Sequence, residues 1–506
     1  MKMSTPRPQQ PNDRDRVTLL LVVTLAAATV LIHLLIGNRY GFHRDELATL
    51  DDARHLAWGY VAYPPVTPFF GWISLHLFGT SLAGFRFFAA LAGAVAMVLA
   101  GLIARELGGN RAAQLLAACA TAPFTLAAGS LMQYVSFDYV AWVAVAYFVT
   151  RLCRSHDPRG WLPIGAAIGF GMMSKYSMPF LVAGIGVGVV FSPLRAHLRS
   201  RWLYLGAALA LLIFLPNFLW QWQHDFISLD FLRHIHARDI RIGRTSSFLP
   251  DQLLLTLAAF PLALAGMCFC FLADNGRFRI LGWMYLVPLA LFLLGKGRGY
   301  YLAPAYPMLY AAGAVGGAAW LAQSRPWKRI TLGALAFLAV SANIVLTSAF
   351  FLPLAPLHSR WWEKAVKFNG DLREEIGWPE LVENVARIRD SLPPGERERV
   401  AILAGNYGEA GALNLYGPRY GLPPVICPVN SFWARGYGDP PPEILIVLGA
   451  SREDLEPRFE TCELVGHITN REGIANEETT DHPDIFLCRR PRAPWREIWP
   501  KVRRFG

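Results

Sequence analysis

The sequence predicts a polytopic α-helical membrane protein with a soluble α/β domain at its C-terminal end, and three observations carry that prediction. Of the 506 residues, 54% are hydrophobic and 17% charged, a balance that suits a membrane protein better than a soluble enzyme. Uncharged runs such as Phe87 to Ala104, Leu203 to Leu219 and Ile330 to Leu357 recur, each near or beyond the roughly 18 to 20 residues that cross a bilayer core. After residue 352 the apolar runs shorten, and strand-like "RVAILAG" and "EILIVLGA" alternate with helix-like "PELVENVARIRDSL".

In chain order, 1–16 is polar, Pro-containing and basic with no small-residue cleavage site before Val17, so it reads as a cytoplasmic tail ahead of a retained helix. About eleven spans follow: 17–36, 83–104, 112–131, 137–152, 161–174, 178–193, 203–219, 252–273, 279–295, 302–323 and 330–352. The pair 161–174 and 178–193 is short and divided only by "SKYSM", which fits a tight hairpin or one broken segment. Short loops holding Arg105 and Arg111, Arg151 to Arg159, Arg195 to Arg201, Arg277 and Arg279, and Arg325 to Arg329 form the basic, inside set. The transmembrane part is then 17–352, with loop 37–82 outside, and the odd span count places 353–506 outside as well. Gly165 and Gly169, Gly184 and Gly188, and Gly313 and Gly317 are spaced to let helices approach closely.

The net charge of +11 belongs to those loops; no contiguous basic face or motif for nucleic acid is present. The seven cysteines show no metal spacing. Cys462 and Cys488 fall where an oxidising compartment is expected and could form a disulfide.

The informative stretch is loop 37–82. "DELATLDDARHLAW", residues 45–58, places Leu47, Leu50, Ala53 and Ala57 at helical spacing with charges between, the pattern of a helix lying in the membrane interface. Asp45 at its start could simply cap it. Two adjacent carboxylates beside His43 and Arg44 at membrane depth point further, to function, and a carboxylate there could act as general base toward an acceptor hydroxyl.

"HRDEL" followed by "GYVAYPP" resembles the first outside loop of the GT-C membrane glycosyltransferases, in the family that includes protein O-mannosyltransferases, aminoarabinose transferases and bacterial family 39 proteins. "FGMMSKYSMPF", "LPNFLWQWQHDFISLDF", "GKGRGYYLAPAYPMLYAAG" and, in the tail, "NYGEAGALNLYG" and "NSFWARGYG" extend the resemblance. It implies a GT-C fold, an inverting transfer from a polyprenyl-phosphate-linked sugar donor, Asp45 as catalytic carboxylate and Glu46 as its partner in orientation or metal contact. His43, Arg44, Tyr63 and Asp138 are the expected substrate contacts, although Asp138 serves equally as a helix cap. Whether a divalent metal takes part stays open. The expected partners are the lipid-linked donor, a glycolipid, lipopolysaccharide or protein acceptor, and membrane lipids, in a bacterial inner membrane.

A lipid phosphate gathers charge as it leaves, so cations should converge on it. Lys175, Lys296 and Arg298 stand where apolar runs meet the outside, with Tyr300 and Tyr301 beside them. Glycines 295, 297 and 299 would let backbone approach an anion, although snorkelling to headgroups and an aromatic belt would also account for these residues. The histidines and acids of 220–251 match no metal motif, and that segment reads as a solvated, partly mobile covering loop. A transporter would want mid-membrane ionisable groups and repeats, and a polymerase or ligase would carry its essential residues in later loops; neither matches "HRDEL".

Overall fold

The structure is a computed structural model that describes residues 13–506; the expected N-terminal tail falls, up to residue 12, outside the described residues. α1 (Asp13–Ile36) is followed by two helices in the first loop, α2 (Arg44–Arg54) and α3 (Val66–Phe78). Then come α4 (Leu82–Glu106), α5 (Arg111–Gly129), α6 (Tyr134–Ser155), α7 (Trp161–Met172), α8 (Met178–Val190), α9 (Arg201–Gln223) and α10 (Ile227–Arg241). α11 (Phe248–Thr256), α12 (Phe260–Leu272), α13 (Arg279–Leu294), α14 (Tyr306–Ala322) and α15 (Pro326–Phe351) complete the helical part.

All eleven expected segments are helical, but the expected number of spans is too high. Among the described residues, seven helical stretches are long and apolar enough to cross a membrane, or eight if α8 and the bent Pro193–Arg199 form one broken span. The reason is length: α7, α8, α13 and α14 have 12, 13, 16 and 17 residues, and at about 1.5 Å per residue none reaches across a core of about 30 Å. A turn over residues 173–177 separates α7 from α8. Most of the paired glycines do lie at close crossings. A Cβ on Gly165 would run into the Gly206 backbone and one on Gly313 into the Leu262 carbonyl, while Gly317 faces open space.

Past the last helix, α16 (Arg360–Phe368), α17 (Trp378–Asp390), α18 (Pro394–Arg397), α19 (Tyr407–Tyr416) and α20 (Asn430–Ala434) surround five strands. These are β1 (Val400–Leu403), β2 (Val425–Ile426), β3 (Ile444–Val447), β4 (Phe459–His467) and β5 (Asp484–Pro491), in the order β2-β1-β3-β5-β4. β1 pairs in parallel with β2 and β3, whereas β5 runs antiparallel to β3 and β4, so the sheet is mixed. Cys462 and Cys488 face one another across β4 and β5 and are joined by a disulfide. β3 is buried along its whole length, as a continuous Ile-Leu-Ile-Val run at a sheet centre requires.

In the first loop the charged residues of α2 are not solvated: Glu46, Leu47, Thr49, Leu50, Asp51, Asp52 and Ala53 are all buried. Phe42, Leu47 and Leu50 share one apolar core with Phe85 and Ala89 of α4 on one side, and with Trp378, Leu381, Val385 and Leu413 of the tail on the other. Burial of Leu47 and Leu50 contributes roughly 1.5–3 kcal/mol each. α2 is therefore the joint between the membrane helices and the sheet domain.

Candidate functional site

A cavity of about 440 Å³ opens between the start of α2, the N-terminal end of α6, the α7–α8 turn, α10, the end of α13 and the tail. Asp45 enters it from the first turn of α2. His43 ends the extended segment ahead of the helix, and a capping box fixes the start: the His43 ring accepts from the Asp45 N–H at 3.2 Å, and Glu46 accepts from the His43 N–H at 3.0 Å. Two side chains then hold the Asp45 carboxylate, Tyr407 Oη donating to Oδ1 at 2.8 Å and Gln133 Nε2 to Oδ2 at 3.0 Å. With 42% of its side chain still exposed, Asp45 is oriented and accessible, which a general base needs.

Glu46 points the other way and lies outside the cavity. It is 0% exposed and binds Arg86 of α4 through both oxygens, at 2.9 and 2.6 Å, while Oε1 also accepts from the Met132 N–H at 2.8 Å. Arg86 reaches Glu375 of the tail at 3.1 Å as well. With its lone pairs committed in this way, Glu46 does not fit a metal-contacting role. Among the described residues no three His, Cys, Asp or Glu side chains are grouped to hold a metal ion.

His43 is buried as the cap and Arg44 pairs with Glu477 and lies 4.9 Å from the Tyr407 ring centre; neither lines the cavity. Tyr63 does line it, donating to Asp52 Oδ2 at 2.8 Å. Asp138 is buried behind the wall, where it accepts from Ser177 at 2.7 Å and stands 3.8 Å from Lys175 Nζ. Lys175 lines the cavity over the rings of Tyr134, Tyr300 and Tyr301, with centroids 5.4, 5.0 and 4.5 Å away, an arrangement that favours a cation. Tyr301 lines the cavity; Tyr300 stands just behind it.

Lys296 also lines the cavity, its backbone in the left-handed region at φ 50°, a conformation that costs a non-glycine residue energy and tends to persist at functional sites. Arg298 is already engaged, giving Nε and Nη2 to Asp239 at 2.5 and 2.9 Å. The expectation of glycines opening backbone to an anion is corrected at Gly299, whose free face is filled by the Asp251 side chain. Segment 220–251 is corrected too: it contains an ordered helix, α10, whose Phe231, Ile235 and Asp239 line the cavity at four-residue spacing.

The tail supplies what sequence reasoning missed. After β1, Asn406 caps α19 with a capping box to Glu409, so "GNYGEAG" makes a helix start. Gly411 lets α19 sit directly on the Leu47 backbone, which brings Tyr407 to Asp45. Arg435 forms ion pairs with both Asp51 and Asp52, Ser431 donates to Asp52 at 3.2 Å, and Asn414 to Asp51 at 2.8 Å. Burial pushes the Asp52 carboxyl up to about 6, against the opposing pull of Arg435. The aromatics of "NSFWARGYG" are internal, with Phe432 buried and Tyr437 stacked on Trp495.

A carboxylate and two lysines around one cavity, roofed by a mixed-sheet domain on a helical membrane part, define a class of membrane protein rather than a soluble fold. The solved structures of ArnT from Cupriavidus metallidurans have a similar fold, with TM-scores of 0.56 for the apo state and 0.58 for the form bound to undecaprenyl phosphate. Identity is 14% and 15%, and each covers 93% of this chain and 97% of the other. Residues 62–220 match the family model described as dolichyl-phosphate-mannose-protein mannosyltransferase. The chain is 33% identical over 153 residues to undecaprenyl phosphate-alpha-4-amino-4-deoxy-L-arabinose arabinosyl transferase 1 of Pseudomonas fluorescens, covering 28% of each chain. It is 27% identical over 188 residues to the lipopolysaccharide core galacturonosyltransferase RgtB of Rhizobium johnstonii, covering 35% of this chain and 37% of that one. These matches therefore span well under half of the relatives' lengths, and Asp45 precedes the segment matched by the family model.

Proposed function

We propose that the protein is an integral-membrane glycosyltransferase that moves a sugar from a polyprenyl phosphate to an acceptor hydroxyl. The observation that carries this reading is Asp45, held by Tyr407 and Gln133 with its carboxylate in the cavity that Lys175 and Lys296 also line. The acceptor oxygen attacks the anomeric carbon, the bond from that carbon to the phosphate oxygen breaks, and Asp45 takes the acceptor proton. The anomeric centre inverts in this single displacement, and the lipid phosphate leaves as a monoester stabilised by Lys175 and Lys296. Arg298, bound to Asp239, contributes its charge from the wall.

The family match and the two relatives, both named as transferases, support the reading. Their names carry different sugars, so neither sugar is transferred to this chain, and the acceptor class stays broad: glycolipid, lipopolysaccharide or protein hydroxyl. The loop charges support an orientation with the N-terminus in the cytoplasm and the cavity at the outer face of a bacterial inner membrane.

The test is transfer of label from a panel of radiolabelled polyprenyl-phosphate sugars into membrane extracts, by the native protein and by Asp45→Asn. A loss of roughly 10²- to 10⁴-fold is expected for the variant, the usual contribution of a general base, with insertion in the membrane unchanged. Full turnover by Asp45→Asn would remove Asp45 from the chemistry.

A further inference from the structure

α16 leaves α15 across residues 352–359, and Ser359 caps it by accepting from the Trp362 N–H at 3.1 Å. At about 3.6 residues per turn its side chains fall into three strips. Trp362, Ala365 and Val366 take one side and are buried with Leu372, Ile376 and Ile474 of the tail. Trp361 and Phe368 take the next, and they stay 39% and 49% exposed. Arg360, Lys364 and Lys367, four and three residues apart, make the third strip, which is exposed throughout.

The aromatic strip fixes the level of the helix. Trp361 Nε1 donates to the Ala349 carbonyl at 3.0 Å, and the Phe368 ring lies 5.2 and 5.9 Å from those of Phe350 and Phe351. All three partners belong to the last turn of α15, the least buried of the candidate spans among the described residues, and Val345 and Leu346 are exposed just before it. α16 therefore lies where a lipid-facing span leaves the bilayer, the depth at which tryptophan concentrates. Among the described residues, the side chains of Arg360, Lys364 and Lys367 have no ion pair or hydrogen bond. Arg39, just past α1, is exposed as well; it gives one N–H to the Leu354 carbonyl at 3.0 Å and has no acid partner. Against these stands Glu363 on α16, while Glu472 is engaged by His358 at 3.2 Å. Arg360 also sits in the first helical turn, where the helix dipole disfavours a cation that has no anion beside it.

We propose that α16 is a docking surface for the anionic phospholipid headgroups of the leaflet that α15 leaves, with Arg360, Lys364 and Lys367 as its contacts. Aromatics at the acyl boundary and cations one strip further out are the arrangement that seats a helix on a charged bilayer, and each cation near such a surface strengthens binding about five-fold. The bilayer supplies the missing anions at the level that the contacts with α15 set. The seat also bears on the join between membrane part and tail, because Trp362 packs edge-on against Tyr40 with centroids 5.2 Å apart, shortly ahead of the His43 cap of α2. Nothing in the assignment depends on the transferase reading.

The experiment follows amide hydrogen exchange by mass spectrometry on the full chain, in nanodiscs of phosphatidylcholine alone and in nanodiscs that also carry phosphatidylglycerol. Peptides covering α16 should exchange at least about five-fold more slowly with phosphatidylglycerol, the scale of one cation at an anionic surface, and the contrast should fade at about 0.5 M salt. Peptides from β1 and β3 should exchange alike in both lipids, which localises the effect and reports the fold. Arg360→Gln combined with Lys364→Gln and Lys367→Gln should abolish the contrast, whereas Lys364→Arg with Lys367→Arg, which keeps the charge, should retain it. Equal exchange of α16 in the two lipids overturns the proposal for the native protein without any variant. So does a contrast that survives the three glutamines, or one of equal size in β1 and β3. Slowing of the same size by glycerol phosphate added to phosphatidylcholine nanodiscs would make the strip a site for soluble anions, and overturns the lipid assignment.

Discussion

Asp45 shows what one residue's surroundings do to its chemistry. Tyr407 and Gln133 each donate a hydrogen bond to its carboxylate and fix its orientation. Tyr407→Phe removes one of these donors and leaves Oδ1 without that partner. kcat should then fall about ten-fold, the scale of a hydrogen bond to a charged group, while the donor KM stays within about two-fold. Steady-state kinetics with the polyprenyl-phosphate sugar check this; a raised KM with kcat unchanged would make Tyr407 a binding contact and not an orienting one. Asp45 itself was legible in the sequence, because its neighbours and "HRDEL" are local. Tyr407 was not, since 362 residues separate the partners and nothing in "NYGEAG" announces what its tyrosine will touch.

At the scale of elements, the burial of the charged side of α2 has an identifiable reason. Asp51 and Asp52 look like a solvated face when the helix is taken alone, but Arg435, Asn414 and Ser431 of the tail neutralise and bury them. Helical periodicity cannot distinguish water from a distant arginine. α10 was different, because Phe231, Ile235 and Asp239 already stood at one-turn intervals, and the segment's charge density drew attention away from that period. The dependence of α2 on the tail gives a packing prediction. Gly411→Val places a branched side chain against the Leu47 backbone and should lift α19 from α2, costing of the order of 1–3 kcal/mol by overpacking. Limited proteolysis should then release the tail more readily and transfer should fall together with it, while Gly395→Ala, at a position with open space around it, should behave as the native protein in both assays.

For the molecule as a whole, the join between membrane helices and sheet domain is built on buried carboxylates, and that sets how stability responds to pH. Burial pushes Glu409 up to about 7, against the amides of Gly405 and Asn406 that donate to it. Burial does the same to Glu375, also to about 7, against the pull of Arg86. Both start from an ordinary value of 4.5. Between pH 4.5 and about 7 the folded protein keeps protons that the unfolded chain has released, so stability is greatest at the acid end of this window and declines as pH rises through it, levelling off above about 7. Glu409→Gln retains an acceptor for the α19 cap but cannot ionise. It should therefore flatten the fall, recovering at neutral pH up to roughly 3 kcal/mol, the ceiling set by a shift of this size. Thermal unfolding in nanodiscs at intervals from pH 5 to pH 8 is the measurement, and a variant whose midpoint falls as steeply as that of the native protein would show that the Glu409 carboxylate does not carry the dependence.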